Sequence, residues 1–256
     1  MRTLAITGKG GTGKSTIAAL IIRWLSEHKS KSILAVDADA NVNLNDLLGV
    51  DIKETIGAIR EEMRASVNSI PDGMTKQQFL EYKIHSTLIE TPNFDLIAMG
   101  RPEGPGCYCY ANNLLRDILK TLSDNYEYVI VDNEAGMEHL SRRTTQNIDY
   151  LLIISDPSIR GIQTAGKINR LLEELKTRVK KKYLILNRVR NSNLQQINKI
   201  IEDEGLRFLY SIPEDQELLE LDQMGQPIWN ILTDSVIYSS INQLMEKLSP
   251  ALQKFL

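Results

Sequence analysis

The sequence predicts an α/β fold, a doubly wound and mostly parallel sheet with helices on both faces, on three observations. Short apolar runs alternate with longer amphipathic ones along the chain, the pattern of strands covered by helices. The first apolar run, residues 3–7, passes through a glycine-rich turn into a helical pattern. The composition, 42% hydrophobic and 25% charged over 256 residues, suits one sizeable core.

In chain order, residues 3–7 form the first strand. Ile17, Leu20, Ile21, Trp24 and Leu25 then recur at helical spacing, and residues 33–36 form a second strand ending in Asp37. Further strands are expected at 94–99, 128–131, 150–154, 183–186 and 208–212, with helices between most of them. Residues 51–90 show no clear strand and read as a helical insertion with Pro71-Asp72-Gly73 as an internal turn. There is no internal repeat, low-complexity tract or Pro/Ser-rich linker, so residues 1–256 are expected to be a single domain. The net charge of −3 gives no electrostatic reason for nucleic-acid binding. No run approaches a membrane span, and the chain enters a strand at once, so a cytoplasmic protein without a membrane partner is expected.

The stretch Gly8-Lys9-Gly10-Gly11-Thr12-Gly13-Lys14-Ser15-Thr16 matches the phosphate-binding loop G-x-x-x-x-G-K-[ST] at every fixed position, between a strand and a helix as that motif requires. Glycines let successive backbone N–H groups face an anion, and the helix dipole adds to their pull. Lys14 supplies a mobile charge for the outer phosphates. Ser15 places a hydroxyl where a phosphate-bound Mg²⁺ needs an oxygen. Lys9, a second lysine inside the loop, is not required by nucleotide binding alone, and by itself also reads as a solvated surface charge.

In such sheets ligands bind beyond the carboxyl ends of the strands. Asp37 and Asp39 follow the second strand; a carboxylate there could serve Mg²⁺ or orient an attacking water, or simply build an Asp/Asn turn. Asp132 ends the apolar strand Tyr-Val-Ile-Val, the arrangement that places a carboxylate near the metal of a bound nucleotide. Gly136, without a Cβ, could bring its N–H close to a γ-phosphate and report its presence. His139 has no paired nucleophile or spaced ligands and is given no catalytic role. Asn187 closes a later strand, where its amide could meet a purine edge.

These motifs resemble the deviant-Walker, MinD-like group of P-loop ATPases, whose signature K-G-G-x-G-K-[ST] is met from Lys9 to Ser15. The resemblance implies ATP/ADP and Mg²⁺ as ligands, a homodimer in which Lys9 reaches the partner's nucleotide, and water activation by Asp39. Ala40 departs from the group, where many relatives carry proline. GTP-binding relatives use N-K-x-D; here Asn187-Arg188-Val189-Arg190 puts a cation where guanine needs an acceptor, so adenine is expected. Ile212-Pro213-Glu214-Asp215 resembles the I-P-E-D loop that borders adenine in that group, so Pro213 and Glu214 join Asn187 and Arg188 in the expected nucleotide site.

Both cysteines lie in the Gly/Pro-rich loop Arg101 to Tyr110, as Cys107 and Cys109. Two thiolates can grip a soft divalent ion, but a closed zinc site usually needs four ligands, which two C-x-C loops facing across a dimer axis would supply. A pair of buried small residues and a local redox disulfide are the other readings. With Asp-Asn-Glu-Ala-Gly-Met-Glu-His at 132–139, the chain is similar to the CooC-type ATPases. That implies a slow ATPase whose nucleotide- and metal-promoted dimer binds Ni²⁺ or Zn²⁺ through both C-x-C loops and assists nickel insertion into carbon monoxide dehydrogenase, or serves acetyl-CoA synthase. The alternatives are a MinD/ParA-like positioning ATPase and an ATP-dependent electron carrier like the nitrogenase iron protein. The first expects a basic C-terminal helix, whereas Ile237, Ile241, Leu244, Met245 and Leu248 have core-helix spacing. The second takes its cysteines from separate loops.

Overall fold

The computed structural model describes residues 2–29, 32–59, 74–75, 78–79, 82, 86–101, 109–122, 125–135, 147–175, 177–190 and 194–252. Eight strands form one sheet: β1 (Arg2–Gly8), β2 (Ile33–Ala38), β3 (Ile89–Glu90), β4 (Asp95–Ala98), β5 (Tyr128–Asn133), β6 (Asn147–Ser155), β7 (Arg178–Val189) and β8 (Phe208–Pro213). Their order is β3-β4-β2-β5-β1-β6-β7-β8, and every pairing is parallel except β3 with β4. After β1 the chain builds one wing through β2, then returns through β5 and builds the other from β6. The carboxyl end of β1 therefore sits where the winding reverses, the place where open α/β sheets bind ligands.

The helices used below are α1 (Lys14–Lys29), α2 (Leu44–Leu48), α3 (Cys109–Leu122), α4 (Ile159–Glu174), α5 (Leu194–Asp203), α6 (Gln216–Gln223) and α7 (Val236–Leu252). Strand alternation divides the core into two layers. Leu4, Ile6, Ile33, Ala35, Tyr128 and Ile130 pack with α1, α2 and α7, whereas Ala5, Leu34, Val36, Val129 and Val131 pack with α3, α4 and α5. The same alternation carries Asp37 and Asp132 onto the α1 side, and parallel register makes them direct neighbours across β2 and β5.

Strand β6 begins at Asn147, three residues before the expected start, and three further elements differ from the sequence expectation. Helix α1 buries Ala18, Ala19 and Ile22 besides its expected face, because α7 covers its outer side with Ile237, Ile241, Leu244, Met245 and Leu248. Strand β7 starts at Arg178, earlier than the apolar run; Lys180 pairs with Asp149, Lys182 with Glu173, and Lys181 lies over Tyr150. In residues 51–90 the structure adds the short strand β3, paired with β4 by only two residues, too few for a period-2 signal. Pro71, Asp72 and Gly73 lie outside the described residues.

Candidate functional site

The loop from Gly8 to Ser15 opens directly from β1, with Gly8 in register with Ile154 of β6. Internal bonds set its shape. Thr12 Oγ1 donates to the Lys9 carbonyl at 2.8 Å, and Lys14 Nζ reaches the same oxygen at 3.4 Å. Gly13 has φ +86, and a Cβ there would lie 2.5 Å from Asn187 Nδ2, so glycine is required for both conformation and space. Gly10 passes near Ala135: a Cβ there would lie 3.6 Å from the alanine methyl, an ordinary van der Waals distance. Lys9 and Gly10 are exposed at the rim, whereas Lys14 is buried.

Behind the loop the two strand-end carboxylates are set apart by their partners. Asp37 is fully buried; Oδ1 accepts from Asp39 N at 3.0 Å, and Oδ2 accepts from Asn43 N and Leu44 N, each at 2.9 Å. Three backbone donors make it the organiser of the loop entering α2. Its carboxyl is nonetheless pushed up from the ordinary value, first by burial. Asp39 is partly exposed, and its Oδ1 accepts from Asn41 N at 2.8 Å.

Asp132 is only 1% exposed. Burial raises its pKa to about 7, the Ser15 hydroxyl pulls the other way by donating to it, and Asp37 raises it further. Its Oδ1 has no hydrogen-bond partner among the described residues. Burial lowers the Lys14 pKa, and Asp132, Asp39 and Glu134 oppose that shift. A buried carboxylate oxygen without a donor, beside a serine hydroxyl at the mouth of an anion-binding loop, fits the oxygen and water shell of Mg²⁺.

A cleft continues from the loop, lined by Gly13, Thr16, Asn187, Arg188, Pro213 and Glu214, with Leu47, Leu218, Leu221 and Ile228 as its apolar wall. Asn187 is buried, and Nδ2 donates to the Thr12 carbonyl at 2.8 Å, so its amide nitrogen is used on the loop. Arg188 has φ +56, and Nη1 donates to the Gly11 carbonyl at 3.1 Å. Arg190 Nη2 donates to Glu214 Oε1 at 2.7 Å, and its Nε donates to Oε2. That bond holds the Glu214 carboxyl below its ordinary value. Asp215 caps α6 by accepting from Leu218 N at 2.9 Å, and accepts from Ile237 N at the start of α7.

A model of the CobQ/CobB/MinD/ParA nucleotide-binding domain matches residues 3–228, which span the loop, both carboxylates and the cleft. The chain belongs to this family. Among its relatives is an uncharacterized ATP-binding protein of Methanocaldococcus jannaschii, 44% identical over 96% of this chain and 97% of that one. The carbon monoxide dehydrogenase accessory protein CooC of Rhodospirillum rubrum is 30% identical over 89% of each chain, in keeping with the CooC-type resemblance of the motifs. Among solved structures, a ParA family ATPase from Chlorobium tepidum superposes with a TM-score of 0.72 over 96% of this chain and 98% of that one, at 22% identity. The MinD/ParA-like doubly wound sheet expected from the sequence is therefore the fold found.

For a member of this nucleotide-binding family, the structure gathers Gly8 to Thr16, Asp37, Asp39, Asp132, Asn187, Arg188, Pro213 and Glu214 at one edge of the sheet. Cys107, Gly136 and His139 lie outside the described residues, and Cys109 is described only as the first residue of α3. Among the described residues no three His, Cys, Asp or Glu side chains are grouped as for a metal ion, and no helix is long and apolar enough to cross a membrane. Sequence reasoning missed Leu47, Leu218, Leu221 and Ile228. They come from three separate segments, and an apolar residue carries no mark of facing a ligand rather than the core.

Proposed function

We propose that this protein is an ATP-hydrolysing metallochaperone that works as a homodimer and assists nickel insertion into carbon monoxide dehydrogenase or the related acetyl-CoA synthase. The observation that carries the hydrolytic part is the grouping of Lys14, Ser15 and Asp132 behind the phosphate loop, with Asp39 beside them. The client rests on the similarity to CooC and on the C-x-C sequence at Cys107 and Cys109.

In this reading the loop N–H groups and Lys14 hold the triphosphate, and the buried amine moves from the Lys9 carbonyl onto phosphate oxygens. Ser15 and Asp132 would hold Mg²⁺, which when bound would supply positive charge to offset that of the phosphates. Asp39 orients the water; Asp37 keeps Asp39 in place through the bond to its backbone N–H. Lys9, exposed at the rim, is free to reach a second copy's nucleotide. The base occupies the cleft between Asn187, Pro213 and Leu218. Nickel or zinc is cargo, held by four thiolates from two chains.

The test is an anaerobic metal titration of the wild type and a Cys107→Ser, Cys109→Ser variant, with ATP turnover and mass followed in each nucleotide state. One ion per two chains, lost in the variant, is expected. An ion bound per monomer, or no effect of the substitutions, would reject the chaperone reading.

A further inference from the structure

We propose that Trp229 is a positioning residue that couples occupancy of the base cleft to the placement of Asp39, acting through helix α2. This rests on the hydrolytic reading of the site given above.

Helix α2 is five residues long and is tied at both ends to parts of the site. At its start, Asp37 accepts from Asn43 N and Leu44 N, so the loop of residues 39–43 that carries Asp39 is strung between β2 and α2. That loop is taut: Val42 has φ +32, a conformation that costs a β-branched residue energy and persists only where its surroundings impose it. A displacement of α2 is passed along this short loop, whose two ends share the Asp37 carboxylate, to Asp39.

At its other end, α2 is held by the segment after α6. Trp229 Nε1 donates to the Leu48 carbonyl at 2.7 Å. Gly49, at φ +66, lies so near Pro227 that a Cβ would sit 3.0 Å from the proline Cβ. The indole is itself fixed, stacked on Phe94 at 6.0 Å between ring centroids with Arg23 over its face at 5.9 Å. Both sides of this joint line the base cleft: Leu47 comes from α2, and Gln226 and Ile228 flank Pro227. A base entering the cleft touches both at once. The Trp229 hydrogen bond is the polar link that makes them move as one body.

The link is tested by Trp229→Phe, which keeps a ring against Phe94 and Arg23 but removes the N–H, assayed with ATP and with base-free inorganic tripolyphosphate. Its kcat for ATP is expected to fall about fivefold, the lower end of typical coupling energies, with KM within about twofold. Turnover of tripolyphosphate is expected to stay unchanged, because no base engages the joint. A second measurement needs no turnover. In a Trp24→Phe background Trp229 is the sole tryptophan, and its emission should shift with ADP but not with pyrophosphate, each shown to be bound by calorimetry. An equal loss on both substrates, an unchanged kcat for ATP, or an emission blind to bound ADP would overturn the coupling. An ADP-dependent emission in the Trp24→Phe background, together with a wild type that turns over no ATP, would instead reject the hydrolytic reading and leave the joint standing.

Discussion

The side-chain amide of Asn187 donates to the carbonyl of Thr12 across 175 residues of sequence, at 2.8 Å and in a buried setting. The end of β7 thus braces the phosphate loop, and Gly13 leaves the room for that brace. Removing the donor leaves a buried carbonyl unsatisfied, at a cost on the order of 1–3 kcal/mol. Asn187→Asp, which keeps the shape but cannot donate, and Asn187→Ala should both weaken ADP binding about tenfold or more. Calorimetry checks this, and unchanged affinity in the aspartate variant would show that the brace does not shape the loop.

Asp132 predicts an inverted pH dependence of stability. Burial lifts its folded pKa to about 7, above the ordinary carboxylate value of 3.8, so between those values the folded chain holds a proton that the unfolded chain has released. Its contribution to stability is present below about pH 4, falls as pH rises through 7, and is then gone. Asp132→Asn should raise the stability of the nucleotide-free protein at pH 8 by up to ~4 kcal/mol, the full linkage value of that shift, and change it little at pH 4. Urea unfolding at both pH values measures it. The same variant should bind Mg²⁺-ATP less tightly at pH 8.

Lys14 and Asp39 should separate binding from turnover. Lys14→Ala removes the charge proposed to meet the outer phosphates and is expected to lose nucleotide affinity. Asp39→Ala should keep ATP bound and lose turnover by about a hundredfold or more. Wild-type turnover in the Asp39 variant would remove it from the mechanism.

Lys9 is exposed at the loop rim, and its carbonyl accepts from Thr12 and Lys14. If it acts on a second copy's nucleotide, specific activity must rise with protein concentration, and Lys9→Ala should lower turnover more than ATP affinity. Concentration-independent activity from a monomer, checked by sedimentation, would exclude that role.

Metal and nucleotide should be linked. Four thiolates from two chains require two C-x-C loops to meet, so the ion should promote dimerisation, and ATP and metal should change each other's affinity equally. The shift of nickel affinity with and without a non-hydrolysable ATP analogue measures this, and a shift of zero would break the link.

Much of the sheet was legible from the strands that are apolar throughout, because a parallel strand buried on both faces is a continuous hydrophobic run. Strand β3, two residues long, and the charged first half of β7 were not, since one is too short for a pattern and the other is held by ion pairs with Asp149 and Glu173. The phosphate loop was legible because its chemistry is local: glycines, a lysine and a hydroxyl must follow one another in order. Asp132 announced itself by ending a buried strand.

The sequence by itself determined the doubly wound sheet, the family, and the order of residues in the phosphate-loop motif, since each depends on neighbours along the chain. Tertiary structure alone decided what their partners are. Only folding brings Asp132 beside Asp37 and into a dry site, which moves its proton affinity by burial. Only folding gives the Asn187 amide to the phosphate loop, Arg190 to Glu214, and Trp229 to the end of α2. Those contacts join residues far apart in the chain, and a hydrogen bond depends on distance in space, which the order of residues does not record.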